Sequence, residues 1–65
     1  MKYRIYTNIA GWSLLDIVEK EMINDVLSDI SDETELIIVE QHKDMDVPYY
    51  GGTKENYYAK KKVKR

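Results

Sequence analysis

The longest uninterrupted apolar run in the chain is Leu36-Ile37-Ile38-Val39. A short stretch that is apolar on both strand faces reads as the middle strand of a sheet. It is far short of the roughly twenty residues a membrane-spanning helix needs. The rest of the fold must be assembled around it, because the chain has 65 residues and no cysteine. A domain of that size buries only about 60% of the surface its unfolded chain exposes. Without cysteine there is no disulfide or thiolate-bound metal to supplement that core. Hydrophobic residues at 43% are enough for one small domain over residues 1–65 and too many for a disordered chain.

Around the central strand, three further segments have a pattern. Lys2 to Ile9 alternates, with Tyr3, Ile5, Thr7 and Ile9 on one side and Lys2, Arg4, Tyr6 and Asn8 on the other. This predicts a half-buried strand that Gly11 ends. Ser13 and Asp16 then form a Ser-x-x-Asp capping box, with Trp12 and Ile17 placed for a hydrophobic staple. The spacing predicts a helix over 14–30. Leu14, Leu15, Val18, Met22, Val26 and Ile30 share its buried face, flanked by Ile23 and Leu27. Asp29, Asp32 and Glu33 crowd the negative end of that helix, where no Gly or Asn closes it. A cation is expected beside them.

Glu35 to Gln41 is the second strand. Lys43 to Asn56, with Pro48 and Gly51-Gly52, reads as a long loop spanning 43–56. A Gly-Gly hairpin joining Val47–Tyr50 to Thr53–Tyr57 is the alternative. Tyr57 to Lys64 alternates again and predicts a third strand, with a helix starting at Thr53 as its rival. The expected fold is α+β, a single helix on a three-stranded sheet in the order β-α-β-β, roughly half of a ferredoxin-like unit. A crossover would make the first two strands parallel. Lys2, and Lys64 and Arg65 carried back on the third strand, would stand beside Asp29, Asp32, Glu33 and Glu35 at the acidic helix exit.

Charge is distributed unevenly. Residues 1–15 carry Lys2 and Arg4 and no acid. Residues 16–46 carry eleven acids against Lys20 and Lys43, and residues 47–65 carry six bases against Glu55. The net charge of −2 therefore conceals an acidic middle between two basic ends.

Catalysis is not expected. The single His42 lies beside no activated Ser or Thr motif, and a chain this small encloses a cleft with difficulty. His42, Asp44 and Asp46 lack calcium-loop spacing, so no metal ion is assigned to them, and no cofactor is implied. Gly51-Gly52-Thr53-Lys54 lacks the spacing of a phosphate loop. Met1-Lys2-Tyr3-Arg4 leads into no apolar run long enough for a signal peptide. A soluble cytoplasmic protein with no membrane partner is expected. A chain rich in Ile, Lys, Tyr, Asp and Glu and lacking Phe fits AT-rich coding, as in a low-GC bacterium or its phage.

Two functions follow as expectations. The first is a non-catalytic protein-binding module, an inhibitor or regulator of the kind a phage encodes. It would dock through Tyr49, Tyr50, Tyr57 and Tyr58 on the loop and beyond it, and through Asp25, Asp29, Asp32 and Glu33 on the acidic helix. The second is a single-stranded nucleic-acid-binding module using Lys2, Arg4, Tyr6, Lys60, Lys62 and Lys64 on an open sheet face. With one helix covering one face of the sheet, the other face is left exposed. A homodimer or a larger protein would cover it.

Overall fold

The computed structural model describes residues 1–62. Its strands are β1 (Lys2–Asn8), β2 (Trp12–Glu19), β3 (Glu35–Gln41) and β4 (Asp46–Thr53). A single 3₁₀ turn (Lys20–Met22) leads into α1 (Ile23–Leu27), and α2 (Lys54–Lys62) follows β4 directly. The sheet order is β2-β1-β3-β4, and every neighbouring pair is antiparallel. No helix among the described residues is long and apolar enough to cross a membrane.

Two strands match the sequence patterns closely. Tyr3, Ile5 and Thr7 of β1 and Leu36 and Ile38 of β3 are buried, with Ile5 opposite Ile38 and Thr7 opposite Leu36. Ile23, Leu27 and Ile30 from α1 and the turn after it pack on this face, and Tyr57 of α2 joins them.

The single helix on a three-stranded sheet is overturned, and so is the parallel pairing. Residues 12–19 are a strand. The chain reverses through Ile9, Ala10 and Gly11, with Ala10 at φ 59° and Gly11 at φ 106°, and Asn8 faces Trp12 across the hairpin. The capping-box pattern misleads because β2 carries a bulge. Tyr6 faces Leu14 while Ile5 faces Asp16, which leaves Leu15 without a partner in the register. The extra residue shifts the alternation by one. Outward residues Leu14 and Ile17 thus stand three apart, a helical spacing in a strand. The helix that does form buries Ile23 and Leu27, the turn after it buries Ile30, and Met22 stays exposed. Trp12 is likewise exposed and staples no helix.

The other corrections concern the C-terminal third. The 43–56 stretch contains β4 from Asp46 to Thr53 rather than a loop, and it holds no Gly-Gly hairpin. Residues 54–62 are helical rather than a third strand. Thr53 Oγ1 accepts the Asn56 amide at 3.2 Å, an N-cap bond. Lys54, Tyr57 and Tyr58 then follow the i, i+3, i+4 spacing and turn toward the sheet. Of the cations expected at the acidic helix exit, Lys2 pairs with Glu19 on the neighbouring strand instead, and Lys64 and Arg65 lie outside the described residues.

The cation that exit requires is Lys54, which is buried. Its ammonium donates to the Ile30 carbonyl and stands 3.8 Å from Asp32. The turn after α1 is also tied to α2 through its backbone. Lys54 N–H donates to the Thr34 carbonyl at 3.0 Å and Glu55 N–H to that of Asp32 at 3.1 Å. These bonds satisfy first-turn amides that have no partner within a helix. Lys54→Met keeps the stem but strands the Ile30 carbonyl, so a loss of about 1–3 kcal/mol is expected. A thermal melt will show this as a midpoint lowered by at least about 4 °C. Lys60→Met, at an exposed position, should leave the melt unchanged.

Candidate functional site

Both faces of the sheet carry candidate surfaces. On the helix side, the hairpin and α1 diverge to leave an open groove of about 450 Å³. Ile9, Leu15, Val26 and Ile30 provide its apolar lining, and Asp16, Asp25 and Asp29 its charge. No cation lines it among the described residues. The β2 bulge creates this composition. It brings the successive residues Leu15 and Asp16 onto the helix side, one apolar and one acidic. Asp16 Oδ1 accepts the Ile17 amide at 2.8 Å, which fixes the carboxylate at the groove's edge. Asp25 belongs to α1, and Asp29 follows it in the closing turn.

The four acids proposed from sequence divide into two groups. Asp25 and Asp29 line the groove. Asp32 lies instead beside Lys54, and Glu33 is exposed on the turn before β3. Sequence reasoning missed Asp16, Leu15 and Ile9. Their contribution depends on the hairpin, and the only local sign of it was Gly11 after an alternating strand.

The four tyrosines do come together, but they face inward. A second bulge, in β4, places Tyr49 between Pro48, opposite Val39, and Tyr50, opposite Ile38. Tyr49 meets the Tyr3 ring edge-on at 4.9 Å, and Tyr50 meets Tyr57 at 5.0 Å. Tyr57 and Tyr58 are 5.6 Å apart. Together they seal the β4 end of the core, leaving a pocket of about 210 Å³ bordered by Tyr49, Tyr50, Tyr57 and Lys60. Tyr50 Oη donates to the Thr53 carbonyl at 2.7 Å, closing over Gly52. A β-carbon on Gly52 would stand 2.6 Å from that oxygen, and its φ of 146° favours glycine.

A tyrosine, a carboxylate and a histidine also stand in line. Tyr3 Oη donates to Glu40 Oε2 at 2.8 Å, and Glu40 Oε1 lies 3.1 Å from His42 Nε2. Burial, and then the adjacent Glu40 carboxylate, pushes the Tyr3 hydroxyl up to about 12. That makes it a firm donor and a poor nucleophile. The Glu40 carboxyl is held below the usual range by the His42 and Tyr3 hydrogen bonds. The arrangement braces β1 against the β3–β4 turn. His42, Asp44 and Asp46 do not converge, because Asp46 pairs with Arg4. No group of three or more potential metal ligands occurs among the described residues.

The opposite sheet face is uncovered and carries Lys2, Arg4 and Tyr6. Lys2 reaches Glu19 at 3.1 Å, and Arg4 reaches across β3 to Asp46 at 3.0 Å. Lys2 and the N-terminal amine hold the Glu19 carboxyl below its ordinary range. Lys60 is on the helix side, at the tyrosine pocket. Lys62 ends α2, and Lys64 lies outside the described residues. Lys60 thus does not share the face of Lys2, Arg4 and Tyr6, and the two sheet cations of the nucleic-acid reading are already paired.

No protein-family model, curated protein or solved structure matches the chain.

Proposed function

We propose that this chain is a non-catalytic protein-binding module whose groove between the β1–β2 hairpin and α1 holds a basic amphipathic segment of a partner. The observation that carries this reading is the groove's lining, with four apolar side chains, three carboxylates and no cation among the described residues. A segment with Lys or Arg beside Leu or Ile places apolar side chains on Ile9, Leu15, Val26 and Ile30 and cations against the carboxylates. Occupying a basic segment that another macromolecule uses is how such a module acts as an inhibitor or regulator.

The test uses two synthetic amphipathic peptides of one Leu pattern, one with Lys on its polar face and one with Glu. NMR titration of the intact chain should move the amides of Ile9, Leu15, Val26 and Ile30 with the Lys peptide and none with the Glu peptide. Affinity should fall as salt rises. Asp25→Asn combined with Asp29→Asn should weaken binding about tenfold, the loss of roughly 1.4 kcal/mol expected from two partly exposed charge contacts. Shifts centred on another surface, or affinity unchanged by the double substitution, rule the groove out.

A further inference from the structure

We infer that the uncovered face of the sheet is the interface of a twofold dimer of this chain, and that each protomer keeps its groove on the outside. The face consists of an apolar strip within paired charges. Trp12, Leu14 and Ile17 on β2 and Ile37 on β3 are 49%, 48%, 44% and 41% exposed. The register sets them on one side with Tyr6 and Val39, since Leu14 and Ile37 both face Tyr6, and Ile17 and Val39 both face Arg4. Contiguous apolar area of this kind is uncommon on a monomer's surface.

Three observations identify a second copy as the occupant. The first is charge. Lys2 and the N-terminal amine pair with Glu19, Arg4 pairs with Asp46, and Asn8 donates to Glu35. Lys2 and Arg4, the described cations of this face, are both paired, so the face offers little cationic charge to phosphates and little to a strongly charged protein. Such a surface is complementary to itself, as a twofold interface requires.

The second is the state of the edges. Both edge strands are bulged, β2 at Leu15 and β4 at Tyr49, and β4 also carries Pro48. Asp16 already accepts the Ile17 amide of β2. Bulges, proline and an occupied amide discourage edge-to-edge strand addition and leave face-to-face packing as the available route.

The third is size. The molecule is a slab of 36 × 31 × 18 Å, about as thin as one sheet plus one layer of helices. Four strands spaced about 4.8 Å apart, each rising about 3.3 Å per residue over seven residues, present roughly 440 Å² in flat projection. Counted on both copies, with the added relief of projecting side chains, the buried area reaches about 1,000 Å², where specific interfaces begin. Two such sheets stack about 10 Å apart with strands crossing near −30°. The result has helices outside, sheets inside and a groove on each outer surface. It does not depend on the proposed ligand of the groove, because the two surfaces lie on opposite faces.

Trp12 is the only tryptophan, so it reports the interface directly. Sedimentation equilibrium of the wild-type chain should give a dimer that dissociates on dilution through the micromolar range. Trp12 emission should move to longer wavelength over the same concentrations. Ile37→Lys acts twice in a symmetric dimer and should weaken association by about 100-fold or more. Its far-UV spectrum should match the wild type, since Ile37 is outside the core. Asn24→Lys, on the exposed side of α1, should leave association unchanged. A chain that stays monomeric at about 1 mM overturns the inference and leaves the face to an unlike partner. A dimer that survives Ile37→Lys, or that leaves Trp12 emission constant, also overturns it by placing the contact elsewhere. If Ile37→Lys unfolds the chain, Leu14→Lys on edge strand β2 provides the same comparison.

Discussion

Leu27→Ala is expected to leave most of the chain unfolded at 25 °C. Leu27 is fully buried against Ile5, Ile23, Leu36 and Ile38 in the core cluster. Its truncation removes transfer energy and opens a cavity, together costing about 2–5 kcal/mol. A disulfide-free domain of this size has only about 3–5 kcal/mol to lose. The substitution also undercuts α1, which at five residues has no stability of its own and persists only through its packed face. Urea titration followed by circular dichroism should show the folded baseline shortened or absent. Met22→Ala, at an exposed position, should remain within about 0.5 kcal/mol of wild type. If Leu27→Ala instead loses less than about 1 kcal/mol, the core described above is misplaced.

Alkaline pH should destabilise the fold well before general base denaturation. Tyr3 and Tyr57 are buried, and both hydroxyls are pushed up to about 12. Burial is the main cause for each, followed by Glu40 for Tyr3 and by Tyr49 for Tyr57. Tyr50 and Tyr58 are raised as well, again mainly by burial. The folded state therefore holds these protons more tightly than the unfolded chain, whose tyrosines ionise near 10. The resulting stability is fully present below pH 10 and is lost as pH rises from about 10 to 12. At about pH 11 the loss is on the order of 1 kcal/mol for each of Tyr3 and Tyr57, lowering the melting midpoint by about 10 °C. Thermal melts at successive pH values, with tyrosinate absorbance recorded in parallel, should show unfolding and ionisation together. Tyr3→Phe should flatten this decline while costing about 1 kcal/mol at neutral pH, where its bond to Glu40 is lost. An alkaline decline of the same steepness in Tyr3→Phe would remove Tyr3 from the account.

Two of the corrections in the fold come from local patterns that fit more than one secondary structure. A β-bulge adds a residue and converts a two-residue alternation into a three-residue spacing. In β2 this made Leu14, Leu15, Ile17 and Val18 look helical, and Ser13 and Asp16 supplied a capping box that caps nothing. In α2 the reverse occurred. Tyr57 to Lys64 alternates by type, yet Lys54, Tyr57 and Tyr58 form the buried stripe of a helix. The candidate site was affected in the same way. Asp25 and Asp29 were visible as acids on a helical segment, but the groove they line needs Asp16 and Leu15 from a hairpin the local pattern disguised.

Local patterning placed a strand over Lys2–Ile9, of which Lys2–Asn8 forms one, and another over Glu35–Gln41, and it showed that the middle of the chain is acidic and that the helical segment ending near Ile30 needs a cation. These properties belong to contiguous residues, so side-chain alternation and charge along the chain are enough to read them. Tertiary structure alone decided that β1 takes β2 as its second neighbour and that Tyr49, Tyr50, Tyr57 and Tyr58 turn inward. It also decided that Lys54, 24 residues beyond Ile30, supplies the cation. Each of these depends on which distant segments meet, and a local pattern that satisfies two secondary structures equally is resolved only by the surface it can bury against.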